Sequence, residues 1–188
     1  MTVDLNTSTT GNTATTGNTA TTGNTAATGN TATSGTTATN GTTDTTGTDF
    51  RRLGIGLFED WTDLWNGDFP VADRILTPGF RIHFGNAIPQ ADTDALRGPG
   101  GLVPFVAAHR EAKPGLVYRM HGAALVDFAA TADGGPAGQV CCRWSATRPD
   151  PDGAGVISVS GIDILAVSDG LITDVWSVGG SRRFGTDA

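Results

Sequence analysis

The chain has 188 residues, of which 38% are hydrophobic and 16% charged, and its formal net charge is -7 with a pI near 4.7. An acidic chain without a clustered basic stripe lacks the charge pattern that favours nucleic acid or an anionic membrane, so we exclude both as partners. No window approaches the roughly 18 apolar residues of a membrane span, and no signal segment opens the sequence, so we expect a cytoplasmic protein. Because no cysteine or histidine cluster has metal-ligand spacing, we expect neither a metal nor a cofactor.

The first 49 residues form a low-complexity repeat. Glycine recurs at every sixth position from Gly11 to Gly47, in variants of Thr-Gly-Asn-Thr-Ala-Thr, and no large aliphatic or aromatic residue follows Leu5 within this segment. Nothing there can be buried to offset an ordering entropy of about 1–2 kcal/mol per residue. The sequence therefore predicts a disordered tail over residues 1–49 and one folded domain over residues 50–188.

The folded part is predicted to begin with helices. Apolar residues recur at spacings of three and four over Ile55–Trp65, which is the pattern of an amphipathic helix. A short second helix is predicted at about Pro70–Leu76, and a third from the glycine run at Gly98 to about Lys113. Between them, alternation over Phe80–Phe84 predicts a half-buried strand.

Beyond the third helix the apolar period changes from 3.6 to 2, which indicates strands. We place these strands near Leu116–Ala129, Gln139–Thr147, Val156–Val167 and Leu171–Val178, with Asp169-Gly170 as a hairpin turn before the last. Three helices followed by long strands predict an α+β domain in which a curved antiparallel sheet wraps around the three N-terminal helices. Such a sheet encloses a pocket on its concave side.

Several short motifs occur along the folded part in a characteristic order. They are Trp65-Asn66-Gly67-Asp68, Phe80-Arg81-Ile82-His83, Arg97-Gly98, Pro114-Gly115-Leu116, Arg143-Trp144, Gly161-Ile162-Asp163-Ile164, Asp169-Gly170 and Val175-Trp176. In this order they resemble the SnoaL-like group of polyketide cyclases within the nuclear transport factor 2-like (NTF2-like) superfamily. The resemblance covers about residues 58–178. It implies a cone-like fold, a small hydrophobic substrate and a homodimer formed through the sheet.

The same resemblance locates two catalytic positions on the last two strands. Relatives typically present a His on the first of these strands and an Asp after the Trp of the second, and the corresponding residues here are Asp163 and Ser177. Alternation puts Asp163 on the face of Val159 and Leu165, which favours burial and a raised pKa of its carboxyl group. The alternative is that Asp163 faces solvent or pairs with Arg143 across the sheet.

A second candidate is His83, which matches a His common on the first strand of the group. It would donate to a substrate oxygen or shuttle a proton, unless it lies on the solvent side of the strand. We predict that Asp163 and His83 act as a catalytic pair, within about 7 Å of each other on one cavity. Four residues are predicted to contact the substrate: Trp65, Tyr118, Trp144 and Ser177.

Other side chains are interpreted as structural. His109 lies on the apolar side of the third helix and is predicted to be a core histidine, and His121 is also taken as structural. Trp61 and Trp176 are predicted to pack in the core.

Two functions stay open from the sequence. The first is a cofactor-free general acid/base enzyme, an isomerase, cyclase or hydrolase, acting on a small hydrophobic, polyketide-like carbonyl or epoxide substrate. The second is a non-catalytic module of the same fold that binds a small molecule or dimerises.

Overall fold

The structure is a computed structural model that describes residues 45–85 and 92–181. All of these residues belong to one compact unit, Gly41–Ala188. The tail predicted over residues 1–49 lies outside the described residues except at positions 45–49, which already belong to the first helix. None of the helices within the described ranges is long and apolar enough to cross a lipid bilayer.

Three α-helices are present in the order predicted. Helix α1 spans Thr45–Asn66, α2 spans Ala72–Ile75 after a 3₁₀ turn at Phe69–Val71, and α3 spans Gly98–Glu111. Helix α1 starts earlier than Ile55, where the sequence analysis placed its beginning. The apolar spacing continues backward through two further residues, Phe50 and Leu53, so the amphipathic pattern extends into the preceding turns.

The strands form one five-stranded sheet in the order β1-β5-β4-β3-β2. Its members are β1 (Leu76–Phe84), β2 (Val117–Ala130), β3 (Pro136–Pro149), β4 (Val156–Ser168) and β5 (Leu171–Gly180). The β2–β3, β3–β4 and β4–β5 pairs are antiparallel, whereas β1 pairs with β5 in parallel at the edge. The predicted α+β class with a curved, mainly antiparallel sheet is confirmed, and the sheet does not close into a barrel.

The hairpin between β4 and β5 turns at Asp169-Gly170, as predicted. Both residues have positive φ, 51° for Asp169 and 79° for Gly170. This is the backbone conformation that matches a two-residue turn to the twist of the adjoining strands. The turn fixes the register of β4 against β5, and that register determines which residues of the two strands face each other.

Helices α1 and α3 pack on one face of the sheet, which we call the inner face; the opposite side is the outer face. Buried side chains from the helices and the inner face form one core, which includes Phe58, Leu64, Phe80, Leu102, Val140 and Leu165. Helix α1 approaches β2 closely at Gly54, where a Cβ atom would lie 2.6 Å from Cγ1 of Val126. The sheet therefore presents alternate residues of each strand to the helices.

Candidate active site

A cavity of about 470 Å³ lies between the inner face and helices α1 and α3. Aromatic side chains form much of its wall: Phe58, Trp61, Trp65, Phe84, Phe105 and Trp144. Its polar groups are gathered in two places, one around Asp163 on β4 and the other around Tyr118 on β2. A largely apolar cavity with a few convergent polar groups is typical of a small-molecule site.

Asp163 is a buried carboxylate on the cavity wall. Its residue is 6% exposed, and its register partner across the hairpin is Ser177. Trp61 Nε1 donates to Oδ2 of Asp163 at 2.9 Å, and Trp144 Nε1 donates to Oδ1 at 2.7 Å. The Ser177 hydroxyl is a third hydrogen-bond donor to the carboxylate. Helix α1 and strands β3 and β5 thus each supply one neutral donor.

The pKa of Asp163 is raised above its ordinary value because burial disfavours the charged form. The hydrogen bonds from Trp61, Ser177 and Trp144 oppose this shift without reversing it. A carboxylate has about four lone-pair positions, and three donors leave one of them free. The group is therefore a desolvated base with room for one proton.

Trp144 reaches Asp163 because two glycines leave space for its indole ring. Gly161 on β4 and Gly179 on β5 are register partners. A Cβ atom on Gly161 would lie 2.3 Å from Cζ2 of Trp144, and one on Gly179 would lie 2.9 Å from Cη2. The ring consequently lies against bare backbone, and this placement directs Nε1 at the carboxylate.

Tyr118 belongs to a second polar group, next to the end of α3. Its hydroxyl lies 3.1 Å from Nε2 of His109, and Nζ of Lys113 lies 3.2 Å from Nδ1 and 3.3 Å from Nε2 of the same ring. Burial, followed by the charges of Lys113 and Arg110, lowers the pKa of His109 to about 4. The imidazole is therefore neutral at neutral pH.

Burial raises the pKa of Tyr118, and the nearby negative charge of Asp163 adds to the shift. Tyr118 is therefore a protonated phenol. An ammonium group can only donate, so we assign the contact of Lys113 to the lone pair on Nδ1 of His109. The Nε2–H of His109 then donates to the Tyr118 oxygen, and the phenolic hydrogen remains available to a ligand in the cavity.

The backbone of Tyr118 is held by the last residue of α1. The side-chain amide of Asn66 donates from Nδ2 to the Tyr118 carbonyl at 3.1 Å, and its Oδ1 accepts from the Tyr118 amide at 2.8 Å. This two-way bond fixes the start of β2 against the helix. Trp65, one residue earlier, lines the cavity, and its buried Nε1 has no hydrogen-bond partner among the residues that the structure describes.

His83 does not approach Asp163, so the predicted catalytic pair is not formed. In the sheet register His83 pairs with Trp176 and Phe84 pairs with Ser177, whereas Ser177 pairs with Asp163. Because paired residues share a face and successive residues alternate, Phe84 and Ser177 face inward with Asp163, and His83 faces outward. We therefore drop His83 as the partner of Asp163.

On the outer face, His83 takes part in a surface cluster. Its Nε2 lies 3.0 Å from Oδ1 of Asp174, and its ring stacks on Trp176 with centroids 5.3 Å apart. Arg81 binds the same Asp174 oxygen at 2.9 Å. Trp176 is 43% exposed, so the prediction that it packs in the core is wrong.

The structure brings five of the six predicted site residues to one cavity: Asp163, Trp65, Tyr118, Trp144 and Ser177. Sequence reasoning missed the role of His109, which it had taken as a core histidine, and of Trp61, which packs in the core but also binds Asp163. A histidine and a lysine four residues apart in the predicted third helix were a usable signal, because residues at that spacing share a helix face; α3 ends at Glu111, but the two side chains are in contact. Among the described residues, no group of three or more His, Cys, Asp or Glu is placed to hold a metal ion.

Comparison with known proteins agrees with this architecture. A family model described as a SnoaL-like domain matches residues 58–175. No curated protein matches the sequence. Similar solved structures include a protein assigned as a polyketide cyclase from Acidithiobacillus ferrooxidans, with 18% identity and a TM-score of 0.50 over 68% of this chain and 87% of that chain.

Two further similar structures are a protein assigned as a polyketide cyclase from Bacillus cereus and one assigned as a SnoaL-like isomerase from Agrobacterium tumefaciens. The first has 23% identity and a TM-score of 0.49, over 68% of this chain and 74% of that chain. The second has 16% identity and a TM-score of 0.48, over 69% of this chain and 98% of that chain. At these identities the structural likeness concerns the fold alone.

Proposed function

The chain belongs to the SnoaL-like domain family, and from this premise we propose that it is a secondary-metabolism cyclase or isomerase that uses general acid/base chemistry without a cofactor. The observation that carries the proposal is the Asp163 carboxylate, buried on the wall of an aromatic cavity and bound by three neutral donors. Maintaining a desolvated charge there is costly. A chemical role for the group explains the cost.

The base of the reaction is Asp163. Its free lone pair removes a proton from a carbon next to a substrate carbonyl. The C–H electron pair becomes the C=C bond of an enolate, and negative charge moves to the carbonyl oxygen. Since the pKa of Asp163 is raised by burial, the carboxylate is a stronger base than one in water. Return of the proton to another carbon completes an isomerisation. In a ring closure the enolate carbon attacks a second carbonyl, the π electrons of that carbonyl move to its oxygen, and Asp163 returns its proton to this alkoxide.

The enolate oxygen is stabilised by Tyr118. Its hydroxyl is free to donate into the cavity because His109 supplies a proton to the phenolic oxygen instead of taking one. A preorganised donor of this kind acts where charge develops in the transition state. Hydrolysis of an epoxide, the third reaction considered, would use Asp163 on a water molecule and Tyr118 as the donor to the epoxide oxygen.

The proposal includes a small hydrophobic substrate, because the cavity wall is mostly aromatic and aliphatic. It also retains the cytoplasmic location and the homodimer expected from the sequence. The support for a homodimer is a row of residues across the outer face, in which the register joins Leu125, Cys141, Ile164 and Trp176. Leu125 is 74% exposed, which is unusual for a large apolar side chain on a sheet.

A charge placed in this row tests the homodimer. Leu125→Asp would bury a carboxylate in the interface, so we expect the protein to change from dimer to monomer in size-exclusion chromatography with light scattering. Arg119→Asp, on the same strand and outer face but outside the apolar row, is the control. A native protein that is monomeric at high concentration would contradict the homodimer.

Proton transfer itself tests the enzyme proposal without knowledge of the substrate. We expect the protein to catalyse deuterium incorporation at the α-carbons of 2-tetralone in D₂O, followed by ¹H NMR, and Asp163→Asn to reduce the rate by about 10²–10⁴-fold. The matched control is Asp174→Asn, which removes a carboxylate from the outer face and should leave the rate unchanged. Unaltered exchange in folded Asp163→Asn would rule out Asp163 as the base.

A non-catalytic binding module is the second candidate. The observation that favours it is the same set of three donors, because a buried carboxylate held by three hydrogen bonds can also be structural. In that case the native protein binds 2-tetralone without exchanging its α-protons. Calorimetric binding together with an exchange rate equal to that of buffer would select this candidate.

A further inference from the structure

Two cations line the cavity at a distance from Asp163. They are Lys113, which follows α3, and Arg148, near the end of β3. Lys113 is the single lysine of the sequence, in a chain whose formal net charge is -7. Two positive groups on the wall of a mostly apolar cavity are therefore unusual in a protein whose net charge is negative.

The fold aims both side chains inward. Along β3, Trp144 and Ala146 face the cavity, and by alternation Arg148 shares their face. Its register partner on β4 is Ile157, which also lines the cavity. Lys113 also lines the cavity, and its Nζ contacts the ring of His109.

No carboxylate neutralises these two cations within the described ranges 45–85 and 92–181. Arg148 and Lys113 have no ion pair with any Asp or Glu there, although four such pairs occur elsewhere in those ranges. Burial, and after it the charge of Arg148, lower the pKa of Lys113, which shows that the two cations repel each other. An anion placed between them would relieve this repulsion.

A neighbouring arginine, Arg110, has a structural role and serves as a comparison for Arg148. Arg110 donates from Nη1 to the carbonyl oxygens of Trp65 at 2.7 Å and Leu116 at 3.1 Å, so it ties α1 to the segment after α3. Arg148 makes no comparable contact with the described part of the chain. Its guanidinium therefore remains available to a ligand.

We propose that Lys113 and Arg148 form an anion subsite, and that the substrate is a hydrophobic carbonyl compound bearing a carboxylate. This inference rests on the proposed function, because it describes the substrate of the same cavity. The Nζ of Lys113 and the Tyr118 hydroxyl lie 3.3 Å and 3.1 Å from the same His109 nitrogen, so the subsite adjoins the donor to the substrate carbonyl. A cavity of about 470 Å³ accommodates a skeleton of two or three rings.

The carboxylate is the favoured anion because its planar pair of oxygens matches the guanidinium of Arg148, while Lys113 supplies a point charge. The reacting end would then lie near Asp163 and Tyr118. Binding energy from the carboxylate orients the substrate so that its carbonyl meets the Tyr118 hydroxyl. The cations thus select and position the substrate and take no part in proton transfer.

Binding of a matched pair of probes tests the subsite. The probes are 2-naphthoate and its neutral analogue methyl 2-naphthoate, measured on the full chain by calorimetry and by quenching of the cavity tryptophans. We expect the native protein to bind the carboxylate at least about 10-fold more tightly than the ester, the factor expected of a charge-assisted hydrogen bond. Lys113→Gln and Arg148→Gln should each reduce this preference towards unity and leave the affinity for the ester unchanged.

Two further variants separate the possible explanations. Arg119→Gln removes an exposed cation from the outer face and should preserve the preference, so an equal loss in that variant would show a general charge effect and overturn the subsite. Asp163→Asn should keep the preference while losing proton exchange, so the two proposals can fail independently. Equal binding of ester and carboxylate by the native protein, or no binding of naphthoate at millimolar concentration, would also overturn the subsite.

Discussion

Two aspartates on the adjacent strands β4 and β5 have opposite environments. Asp163 faces inward and is surrounded by the neutral donors Trp61, Trp144 and Ser177. Asp174 faces outward and binds Arg81 and His83. Burial raises the pKa of Asp163; partial burial also acts on Asp174, but there the hydrogen bond from His83 and the charge of Arg81 prevail and lower the pKa.

The difference shows how one sheet makes a base on one face and a stable ion cluster on the other. The charge of Arg81 and the hydrogen bond from His83 stabilise the carboxylate form of Asp174, so this group has little tendency to accept a proton. Neutral donors orient Asp163 without supplying a compensating charge, so its affinity for a proton is increased. Substitutions on the inner face should therefore change the exchange rate, and substitutions on the outer face serve as their reference.

After Asp163→Asn, the largest expected effect is that of Tyr118→Phe. Removing the phenolic hydroxyl takes away the donor to the enolate oxygen, and the exchange rate of 2-tetralone should fall by about 10²–10³-fold. His83→Gln, a change in the outer cluster, should leave the rate within twofold of native, a margin of about 0.4 kcal/mol. A larger loss in His83→Gln than in Tyr118→Phe would reverse the assignment of the two faces.

A smaller effect is expected when the support of Trp144 is altered. In Gly179→Ala the new methyl group lies about 2.9 Å from the indole, so the ring must move away and its hydrogen bond to Asp163 must lengthen. We expect roughly a tenfold loss of exchange rate, equivalent to a loss of about 1.4 kcal/mol. Gly180→Ala is the matched control, since nothing lies within 4 Å of its added Cβ. Equal rates for the two variants would show that the position of Trp144 does not matter.

The smallest expected effect concerns stability as a function of pH. Because the pKa of His109 is lowered to about 4 in the folded protein, the unfolded chain binds this proton first as the pH falls below about 6.5. The free energy of unfolding should therefore decrease between about pH 6.5 and 4 in the native protein, and decrease less in His109→Gln. Urea unfolding at several pH values measures this difference.

An NMR titration of the His109 ring gives the direct check, with a midpoint near pH 4 expected. A midpoint near 6.5 would show that the ring is well solvated.

The two aspartates should affect the pH dependence of the free energy of unfolding in opposite directions. Because the pKa of Asp163 is raised in the folded protein, this group stabilises the fold at low pH. That stabilisation is lost as the pH rises through the pKa that Asp163 has in the folded protein. The pKa of Asp174 is lowered in the folded protein, so this group stabilises the fold above the pKa that it has in the unfolded chain. That stabilisation is lost as the pH falls through the pKa of the folded protein. Asp163→Asn should accordingly be at least as stable as the native protein at neutral pH, and Asp174→Asn should be less stable.

Much of the fold could be predicted because local pattern and tertiary structure agree in it. The amphipathic spacing before Trp65 predicted α1, the period-2 segments predicted the long strands, and the turn at Asp169-Gly170 set the hairpin. The inward orientation of Asp163 followed from alternation within β4. Each of these inferences uses neighbours along the chain, where geometry is fixed by the backbone.

The errors at the site came from pairings between distant segments. His83 was paired with Asp163 because His83 matched a family residue and Asp163 stood at a family catalytic position, but the face of His83 depends on the parallel register of β1 against β5. The same register exposes Trp176, which the sequence analysis had placed in the core. A shift of one residue in a strand reverses the face of every side chain, and no local pattern in β1 determines that register.

By itself, the sequence determined the helices, the strands, the mixed fold class and the presence of one aspartate among apolar strand residues. The tertiary structure alone decided which donors meet that aspartate, because Trp61, Trp144 and Ser177 come from three separate elements. It also decided that His109 supports Tyr118, and that Lys113 and Arg148 line one cavity. Secondary structure depends on periodicity within a segment, whereas a site depends on packing between segments that are far apart in the chain.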